Sequence, residues 1–442
     1  MRVNFRRRAF ILLTTIVFAV LVRPVLAQQF TNSDQPTGVD GPPLSLQNAI
    51  DEALDKNPEL IALRKQFEVS RFHPAQERYL APPTFDAQIW QWPIDSLNPL
   101  NTNMYMFMFN QDLPGRGKRT VRAAAADVDV AMTDNEIAVR ARQLVDDVKR
   151  AYAELFVARR AIAIYSDNLT LLRQLADVSH VKYSTGRISQ QDVLKPVVEL
   201  SQIHDEIITF GERRDLAAAR LNTLLDRSPD GPIGPLTEPR DQVELPTAEE
   251  LQRIASTSQP ELKGAHLAVQ KAQADLAVAK QEYKPDFSVQ AGYMLTPRST
   301  DAVMARVGVS WPNAPWARGR IAARVGEATA AIDAADATRK ATANRVRLAL
   351  HEAYIRVQVA QRHASLLRTT IVPQAQQTLD VARVAYQTDR VDFLSLIDNQ
   401  RVLLAAQLAY VRALSDIEQA LADLERAVGS DLPSGTAAEG RR

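Results

Sequence analysis

Apolar residues recur at two different spacings along the chain, and these spacings predict two kinds of element. Residues 44–70 and 250–281 carry an apolar residue every three to four positions, which is typical of amphipathic helices. Residues 287–293 and 303–311 alternate apolar residues with polar or small ones, which is typical of strands with one apolar face. The chain is therefore predicted to combine helices with a small number of strands.

The helical and strand patterns occur twice, at a constant distance in the sequence. Matching residues stand 202 positions apart in five pairs and 203 positions apart in a sixth. The five pairs are Pro58 and Pro260, Pro83 and Pro285, Phe85 and Phe287, Gly117 and Gly319, and Tyr152 and Tyr354, and the sixth is Tyr183 and Tyr386. The chain is therefore a tandem duplication, with one residue inserted in the second half after Tyr354.

Each repeat is predicted to contain a helix, a β-hairpin, a long helix, a tip turn and a return helix. The second strand of the first hairpin, MYMFMFNQ, is apolar on both sides, but it occupies the place that the alternating run 303–311 has in the second repeat. The predicted bounds are 44–235 for the first repeat, with hairpin 84–113 and tip turn 184–190, and 236–430 for the second, with hairpin 286–312 and tip turn 387–392.

The long helices exceed what an ordinary globular domain needs. The stretch between Gly117 and Gly186 contains no glycine or proline, and as one helix it would be about 100 Å long at about 1.5 Å per residue. In the second repeat, Gly326 and Pro373 are expected to interrupt the corresponding helix, with a kink near Pro373.

The two hairpins predict a membrane barrel to which several chains contribute. Strands of about nine to eleven residues with one apolar face suit a transmembrane β-barrel. Four strands cannot close a barrel, because the smallest single-chain barrels have about eight strands and an open edge in lipid is costly. The predicted fold is mainly α with β, in which a long-helix α-barrel continues into a shared β-barrel. The alternative is a small soluble sheet that caps a helical bundle.

The ends of the chain differ in composition from the repeats. Residues 1–27 begin with a basic cluster, continue with an apolar run and end in Ala27, which is the pattern of a secretory signal peptide. The alternative, a retained membrane anchor, is disfavoured because the apolar run is short for a span. Residues 28–43 and 431–442 are rich in polar and turn-forming residues and are expected to be flexible.

Charge and cysteine content narrow the function classes. The whole chain has 53 basic and 52 acidic residues, and removal of residues 1–27 takes away five arginines and leaves 48 basic residues against 52 acidic ones. A mildly acidic chain is not typical of a nucleic-acid-binding protein. The chain has no cysteine, so neither disulfides nor a lipid on an N-terminal cysteine are expected.

Two motifs resemble chemical sites but lack residues that the chemistry requires. NQDLPGRGKRT at 110–120 resembles a phosphate-binding loop, but Asp112 replaces a required glycine and Arg119 replaces the hydroxyl that would hold magnesium. HEAYI at His351 resembles a zinc-protease helix, but Ile355 replaces the second histidine. We therefore expect no enzymatic activity, no cofactor and no metal site.

The motif at 110–120 and its counterpart NAPWARGRI are instead interpreted as the junctions where a strand leaves the membrane and a long helix begins. Glycine and proline serve the turn, and the basic side chains are expected to snorkel at the membrane interface. The residues assigned to this turn are Pro114, Gly117, Lys118, Gly319 and Arg320.

These motifs, in this order and duplicated, resemble those of the TolC-like outer membrane efflux proteins. The resemblance covers residues 44–429 and rests on LSLQNAIDEALDKNPEL, KPDFSVQAGY, QDLPGRGKR, YSTGRISQQDVL and YQTDRVDFLSLIDNQ. It implies a homotrimer in the outer membrane of a Gram-negative bacterium, with four strands per chain in one twelve-stranded barrel and a periplasmic α-helical tunnel. It also implies two partners, a periplasmic adaptor (membrane fusion) protein and an inner-membrane pump of the RND type.

The resemblance implies that the two tip turns form the periplasmic end and that nearby side chains constrict the closed tunnel. The first turn carries Tyr183, Gly186 and Arg187, and the gate candidates are Asp192, Tyr386, Asp389, Arg390 and Asp398. Three copies of Asp398 would form an acidic ring of the kind that selects cations. The alternative is that Asp192 and Asp398 are helix-face residues in ordinary ion pairs. Asp389 departs from the family pattern, which usually has glycine there.

The resemblance leaves the transported substance open. Heavy-metal efflux, drug efflux and type I protein secretion all use such ducts, and QDLPGRGKR is similar to the metal-efflux branch, the CzcC-like and CusC-like proteins. A different class of function, a periplasmic coiled-coil scaffold or adaptor with a soluble β-cap, is the remaining alternative.

Overall fold

The computed structural model describes residues 42–432, except 97, 99, 100, 187, 298 and 389. The expected signal segment 1–27 lies outside the described residues, as do most of the expected flexible segments 28–43 and 431–442. Two of the predicted tip residues, Arg187 and Asp389, also lie outside them.

The first repeat opens with three helices, a hairpin, and two long antiparallel helices. The helices are α1 Leu46–Lys56, α2 Pro58–Ser70, α3 His73–Arg78, α4 Lys118–Ser184 and α5 Gln190–Leu224, and the strands are β1 Thr84–Trp90 and β2 Met104–Leu113. Helix α4 has 67 residues, so it is about 100 Å long.

The second repeat follows the same order. Its helices are α6 Ala248–Ser258, α7 Pro260–Gln281, α8 Arg318–Leu366, α9 Val372–Gln387 and α10 Phe393–Val428, and its strands are β3 Phe287–Leu295 and β4 Ala302–Val309. A π-helical turn, Leu367–Ile371, joins α8 to α9 just before Pro373, near the expected kink. The expected interruption at Gly326 is wrong, because α8 runs through this residue with open space around it.

The repeated Pro-Glu-Leu motif begins a helix in both repeats because the residue before it is a cap. The side-chain oxygen of Asn57 accepts from the backbone N–H groups of Glu59 and Leu60, at 3.1 and 3.2 Å. In the second repeat, the side-chain oxygen of Gln259 accepts from Glu261 at 2.9 Å. Proline fits the first helical position, where no hydrogen-bond donor is required.

The described part of the chain contains one sheet of four antiparallel strands in the order β1-β2-β3-β4. Both faces of the sheet are largely exposed in the protomer, and the strands contact chiefly one another. The apolar face carries aromatic and aliphatic side chains, namely Phe85, Ile89, Phe107, Phe109, Phe287, Val289, Tyr293, Val303 and Val307.

The helical part has separate apolar clusters along its length. Near the tip turns, α4, α5, α9 and α10 pack around Leu172, Phe210, Leu379, Phe393 and Leu396. Further along, α1, α2, α4 and α5 pack around Leu60, Leu144, Leu155 and Leu221, and α6, α8 and α10 pack around Leu251, Val357, Ile417 and Leu424.

Tyr152 ties the starts of the two repeats together. Its hydroxyl donates to the carbonyl of Leu44 at 2.9 Å and accepts from the backbone N–H of Thr237 at 2.8 Å. Leu44 and Leu236 form a parallel β-bridge beside it. A buried tyrosine hydroxyl requires such partners, which accounts for tyrosine at this position.

Candidate functional site

The first tip turn depends on a glycine in the left-handed region. Helix α4 ends at Ser184. Gly186 has φ +70°, and this left-handed backbone conformation favours glycine. Steric crowding does not, because a Cβ added to Gly186 would have no atom within 4 Å. The N–H of Gly186 donates to the carbonyl of Tyr183 at 2.8 Å, which closes the turn. The side chain of Tyr183 is exposed.

Asp192 caps the helix that leaves this turn. Its carboxylate accepts from the hydroxyl of Ser189 at 2.9 Å and from the backbone N–H of Ser189 at 3.3 Å. An acidic residue in the first turn also interacts favourably with the helix dipole. The structure therefore gives Asp192 a local partner within the protomer, and its assignment to a gate stays a prediction.

The second tip turn uses a different cap. Asp392 precedes α10, and its carboxylate accepts from the backbone N–H of Ser395 at 3.0 Å and from the Ser395 hydroxyl. These hydrogen bonds, the hydroxyl first, hold the pKa of Asp392 below its ordinary value. Arg390, a gate candidate, is exposed, and its backbone N–H donates to Ala385 at 2.9 Å.

Tyr386 lies inside the protomer near this turn. Its hydroxyl is 3.2 Å from the hydroxyl of Ser179 on α4, and its ring packs edge-on against Phe393. The ammonium of Lys182 lies 4.1 Å from the ring centroid and donates to the Tyr386 carbonyl at 2.5 Å. Tyr386 therefore joins α4, α9 and α10 in this structure, and helical spacing alone did not identify that contact.

Asp398 is exposed on the first turns of α10, with 59% of its side chain accessible. It lies 3.8 Å from the guanidinium of Arg401, which also forms an ion pair with Glu199 of α5. Asp398 was predicted from the sequence but Arg401 and Glu199 were not, because the contact between α5 and α10 depends on tertiary packing. The acidic Asp398 is thus accompanied by a fixed positive charge.

At the opposite end of the helices, Asp286 joins the junctions of the two repeats. Its carboxylate accepts from the backbone N–H of Gly115 and from the ammonium of Lys118, both at 2.7 Å. Burial alone would raise the pKa of Asp286, but the hydrogen bonds from Lys118 and Gly115 outweigh it and hold the pKa below its ordinary value. Asp286 was not among the predicted site residues, since its partners lie 168 to 171 positions away.

This contact overturns the expectation that Lys118 snorkels at the membrane interface. Lys118 is 6% exposed, because its ammonium is bound by Asp286 inside the junction. Gly117 does serve the turn, with φ +88°, and Pro114 precedes it between β2 and α4.

The second junction differs from the first. Gly319 was expected to form the second turn, but it does not. Helix α8 already begins at Arg318, and a Cβ added to Gly319 would have no atom within 4 Å. Arg320 is exposed in the first turn of the same helix. The turn itself is marked by two exposed tryptophans, Trp311 and Trp316, whose rings meet edge-on at 6.0 Å.

Among residues 42–432, apart from the six positions that are not described, no group of three or more histidine, aspartate or glutamate side chains could hold a metal ion. No helix in the described ranges is both long and apolar enough to span a membrane.

The chain is similar to known proteins in a family-model comparison and in a comparison with single sequences. Residues 251–430 match the family model described as outer membrane efflux protein. The chain is 23% identical over 397 residues to the cobalt-zinc-cadmium resistance protein CzcC of Cupriavidus metallidurans, a match that covers 88% of this chain and 90% of that protein.

Solved structures share the fold over most of the chain. The structure of CusC, described in connection with transmembrane channel formation, matches with a TM-score of 0.74 and 18% identity and covers 87% of this chain and 92% of that one. The outer membrane protein VceC of Vibrio cholerae matches with a TM-score of 0.72 and 18% identity and covers 87% of this chain and 96% of that one.

Proposed function

We propose that this chain, which is similar to the TolC-like outer membrane efflux proteins, is the outer-membrane exit duct of a tripartite export system. It is an efflux channel and not an enzyme. The observation that carries the proposal is the four-stranded sheet, exposed on both faces, at one end of a helix about 100 Å long.

The sheet supports assembly of a homotrimer. Its outer strands, β1 and β4, each pair on one side within the described residues, which leaves two open edges. Open edges and an apolar face are unfavourable in water, and a lipid bilayer requires every edge to be paired. Three protomers would supply twelve strands and close the barrel, with the apolar face toward outer membrane lipid and the opposite face toward the lumen.

The exposed surface near the tip turns supports docking and helix packing between protomers. Large aliphatic side chains lie exposed on the last turns of α4 and α9 and the first turns of α5 and α10, namely Val178, Val181, Leu194, Val197, Val198, Val381, Val384, Leu394 and Val402. Apolar groups in this number indicate a protein contact surface. We assign it to the neighbouring protomers and to a periplasmic adaptor protein, which would connect the duct to an inner-membrane pump of the RND type.

The proposed cargo is a heavy-metal cation, with drugs as the second candidate. The name of the relative CzcC refers to cobalt, zinc and cadmium resistance, and the two chains match over most of their lengths. Type I protein secretion is the alternative within the same architecture. A soluble scaffold is disfavoured, because its sheet would need its apolar face covered by the rest of the chain.

A susceptibility panel on a deletion strain tests this proposal. The panel compares copper, silver, zinc, cobalt and cadmium salts with dyes, detergents and antibiotics, and the intact gene restored on a plasmid is the control. Sensitivity to metals, reversed by the plasmid, supports metal export, and sensitivity to organic compounds alone supports a drug duct. No sensitivity to any of them, together with loss of a secreted protein, would contradict efflux and support protein secretion.

A further inference from the structure

Five of the seven methionines of the chain lie on one face of the small sheet. They are Met104, Met106, Met108, Met294 and Met304. The same face carries Thr84, Asp86, Gln88, Asn110, Gln290 and Arg306, so it is the polar face. The opposite face is apolar, and under the proposed function it faces lipid, so the methionines face the lumen.

The strand register brings four of these methionines into one patch. Met106 on β2 stands directly opposite Met294 on β3. Two residues along β2, Met108 stands opposite Gly292, which in turn stands opposite Met304 on β4. Directly opposed side chains on one face of a sheet have Cβ atoms about 4.5–5.5 Å apart, so their sulfur atoms can share one ligand. We call Met106, Met108, Met294 and Met304 the methionine patch.

Gly292 provides the space in which the side chains of the patch meet. A Cβ added to Gly292 would lie 2.9 Å from Sδ of Met108 and 3.7 Å from Cε of Met304. The two thioether side chains therefore reach over the same glycine from strands on either side of it. A side chain at this position would push them apart.

A carboxylate adjoins the patch. Asp86 on β1 stands opposite Met108, and its side chain is exposed and accepts from the Asn110 amide at 2.6 Å. A negative charge beside neutral sulfur ligands favours a bound cation. Asp86, Met108, Gly292 and Met304 form one row across the sheet.

We propose that the methionine patch is a binding site for soft monovalent metal ions, Cu(I) and Ag(I), in the wall of the lumen. This inference rests on the proposed function in one respect, namely that the polar face lines the lumen. Thioether sulfur is a soft, uncharged ligand that selects Cu(I) over the harder divalent cations. It is not protonated at physiological pH, so such a site stays available where histidine and carboxylate ligands compete with protons.

The position of the patch suits transport. Its side chains are partly exposed, which allows an ion to enter and leave. Conduction requires binding that is strong enough for entry and weak enough for release, and several adjacent sites ease transfer between them. Three protomers would place three such patches in one barrel, with the outermost methionine, Met104, beside each of them.

Silver binding to the purified trimer tests the proposal. Isothermal titration with silver nitrate in chloride-free buffer compares the natural protein with the double variant Met108→Leu/Met304→Leu, which keeps apolar volume but removes two sulfur atoms. Removal of a group that only orients a metal ligand costs about tenfold or more in affinity, so loss of two ligands should cost at least as much. Met106→Leu/Met294→Leu should have the same effect, and zinc and cobalt should show no difference among the proteins.

The matched control is Met132→Leu, because Met132 lies on α4 and not on the sheet. It should bind silver as the natural protein does. X-ray absorption of the silver-loaded protein should show sulfur neighbours that the double variants lose. Equal silver affinity in the natural protein and both double variants would overturn the proposal.

Conductance in planar bilayers separates this inference from the proposed function. A conducting trimer that binds no silver would overturn the methionine site and leave the channel intact. A trimer that does not conduct would overturn the channel itself, whether or not it binds silver.

Discussion

Asp286 holds the two repeats together where the strands meet the long helices. Its partner Lys118 is almost fully buried, whereas the Asp286 side chain is half exposed, so the pair is partly screened by solvent. An ammonium buried without its carboxylate would carry an uncompensated charge. The junction therefore depends more on Asp286 than the exposure of this residue suggests.

We expect Asp286→Asn to destabilise the protein by about 1.5–3 kcal/mol, the range for hydrogen bonds to charged groups. Because the folded pKa of Asp286 is depressed, its contribution is present above the ordinary aspartate pKa and is lost as the pH falls through the folded pKa. Thermal unfolding at neutral and acidic pH measures both effects. Asp95→Asn, in the exposed loop between β1 and β2, should change little, and equal loss in both variants would contradict the assignment.

Glu418 on α10 presents the opposite case. Burial raises its pKa, and although Lys149 and Arg240 oppose the shift, the folded protein favours the neutral form. A raised carboxyl pKa contributes stability below the ordinary glutamate pKa, and this contribution is lost as the pH rises through the folded pKa. At neutral pH the ionised Glu418 is therefore unfavourable.

Glu418→Gln should accordingly raise the melting temperature at neutral pH, because glutamine mimics the neutral acid. The gain should disappear as the pH falls below the ordinary glutamate pKa, where both side chains are uncharged. Glu136→Gln, at an exposed position on α4, is the control for a change of net charge. A gain that is equal at all pH values would contradict this account.

At the scale of the elements, the first tip turn and its return helix α5 each contain a glycine, and the two glycines differ in the backbone conformation that they adopt. Gly186 has a left-handed backbone, whereas Gly211 lies inside α5, and neither has an atom within 4 Å of an added Cβ. Gly186→Ala should cost about 1–2 kcal/mol, because alanine is strained in the left-handed region. Gly211→Ala should instead stabilise the helix by about 0.5–1 kcal/mol. Hydrogen exchange of the tip amides should become faster in the first variant only.

The gate hypothesis concerns Asp398 on α10. Removing the exposed Asp398 should leave Arg401 bound by Glu199, so the tip should gain net positive charge without losing its packing. Asp398→Ala should therefore reduce cation preference in planar bilayers and change the single-channel conductance. Asp380→Ala on α9 serves as the comparison, and an unchanged trace for Asp398→Ala would remove this residue from the gate.

Sequence patterns predicted the helices and strands better than they predicted the contacts between them. The order of elements and the fold class were predicted, because the duplication and the spacing of apolar residues are local signals, and the fold class is confirmed. Lys118 was misjudged because its partner Asp286 is distant in sequence. Gly319 was misjudged because its position matches Gly117, although its junction is built around two tryptophans.

For the whole molecule, the open edges of the sheet give a direct test of the shared barrel. Ala87 on β1 and Ala305 on β4 lie on the same face of the sheet. Within one protomer they are three strand spacings apart, about 14 Å across the sheet, and Ala305 is displaced by a further two residues along the strand from Val303, which stands in line with Ala87. In a closed barrel the β1 of one protomer adjoins the β4 of the next, so the two positions should come within cross-linking range between chains.

We expect the variant Ala87→Cys/Ala305→Cys to form dimers and trimers with a cross-linker shorter than about 14 Å. The natural chain has no cysteine, so the background is clean. Heating should convert the untreated trimer to monomer but leave the cross-linked ladder, and Ala87→Cys alone should give no ladder. A double variant that remains monomeric after treatment would contradict the shared barrel.

The π-helical turn at Leu367–Ile371 explains how the second repeat tolerates its extra residue. It lies between the landmarks Tyr354 and Tyr386, where the offset between the repeats grows by one. In a regular α-helix, one inserted residue would rotate everything after it by about 100°. A π turn holds one residue more than an α turn, so the insertion is absorbed locally.

The rotational phase of α9 is therefore set by this turn. Leu367 at its start and Ala375 and Leu379 after it are all buried against the protomer core. Deleting a single residue within the turn should restore a regular helix and leave the buried side of α9 facing the core, as in the uninterrupted α4 of the first repeat. At this one place the chain should tolerate the loss of a residue, whereas the same deletion in the regular part of α9 would rotate the residues after it by about 100°.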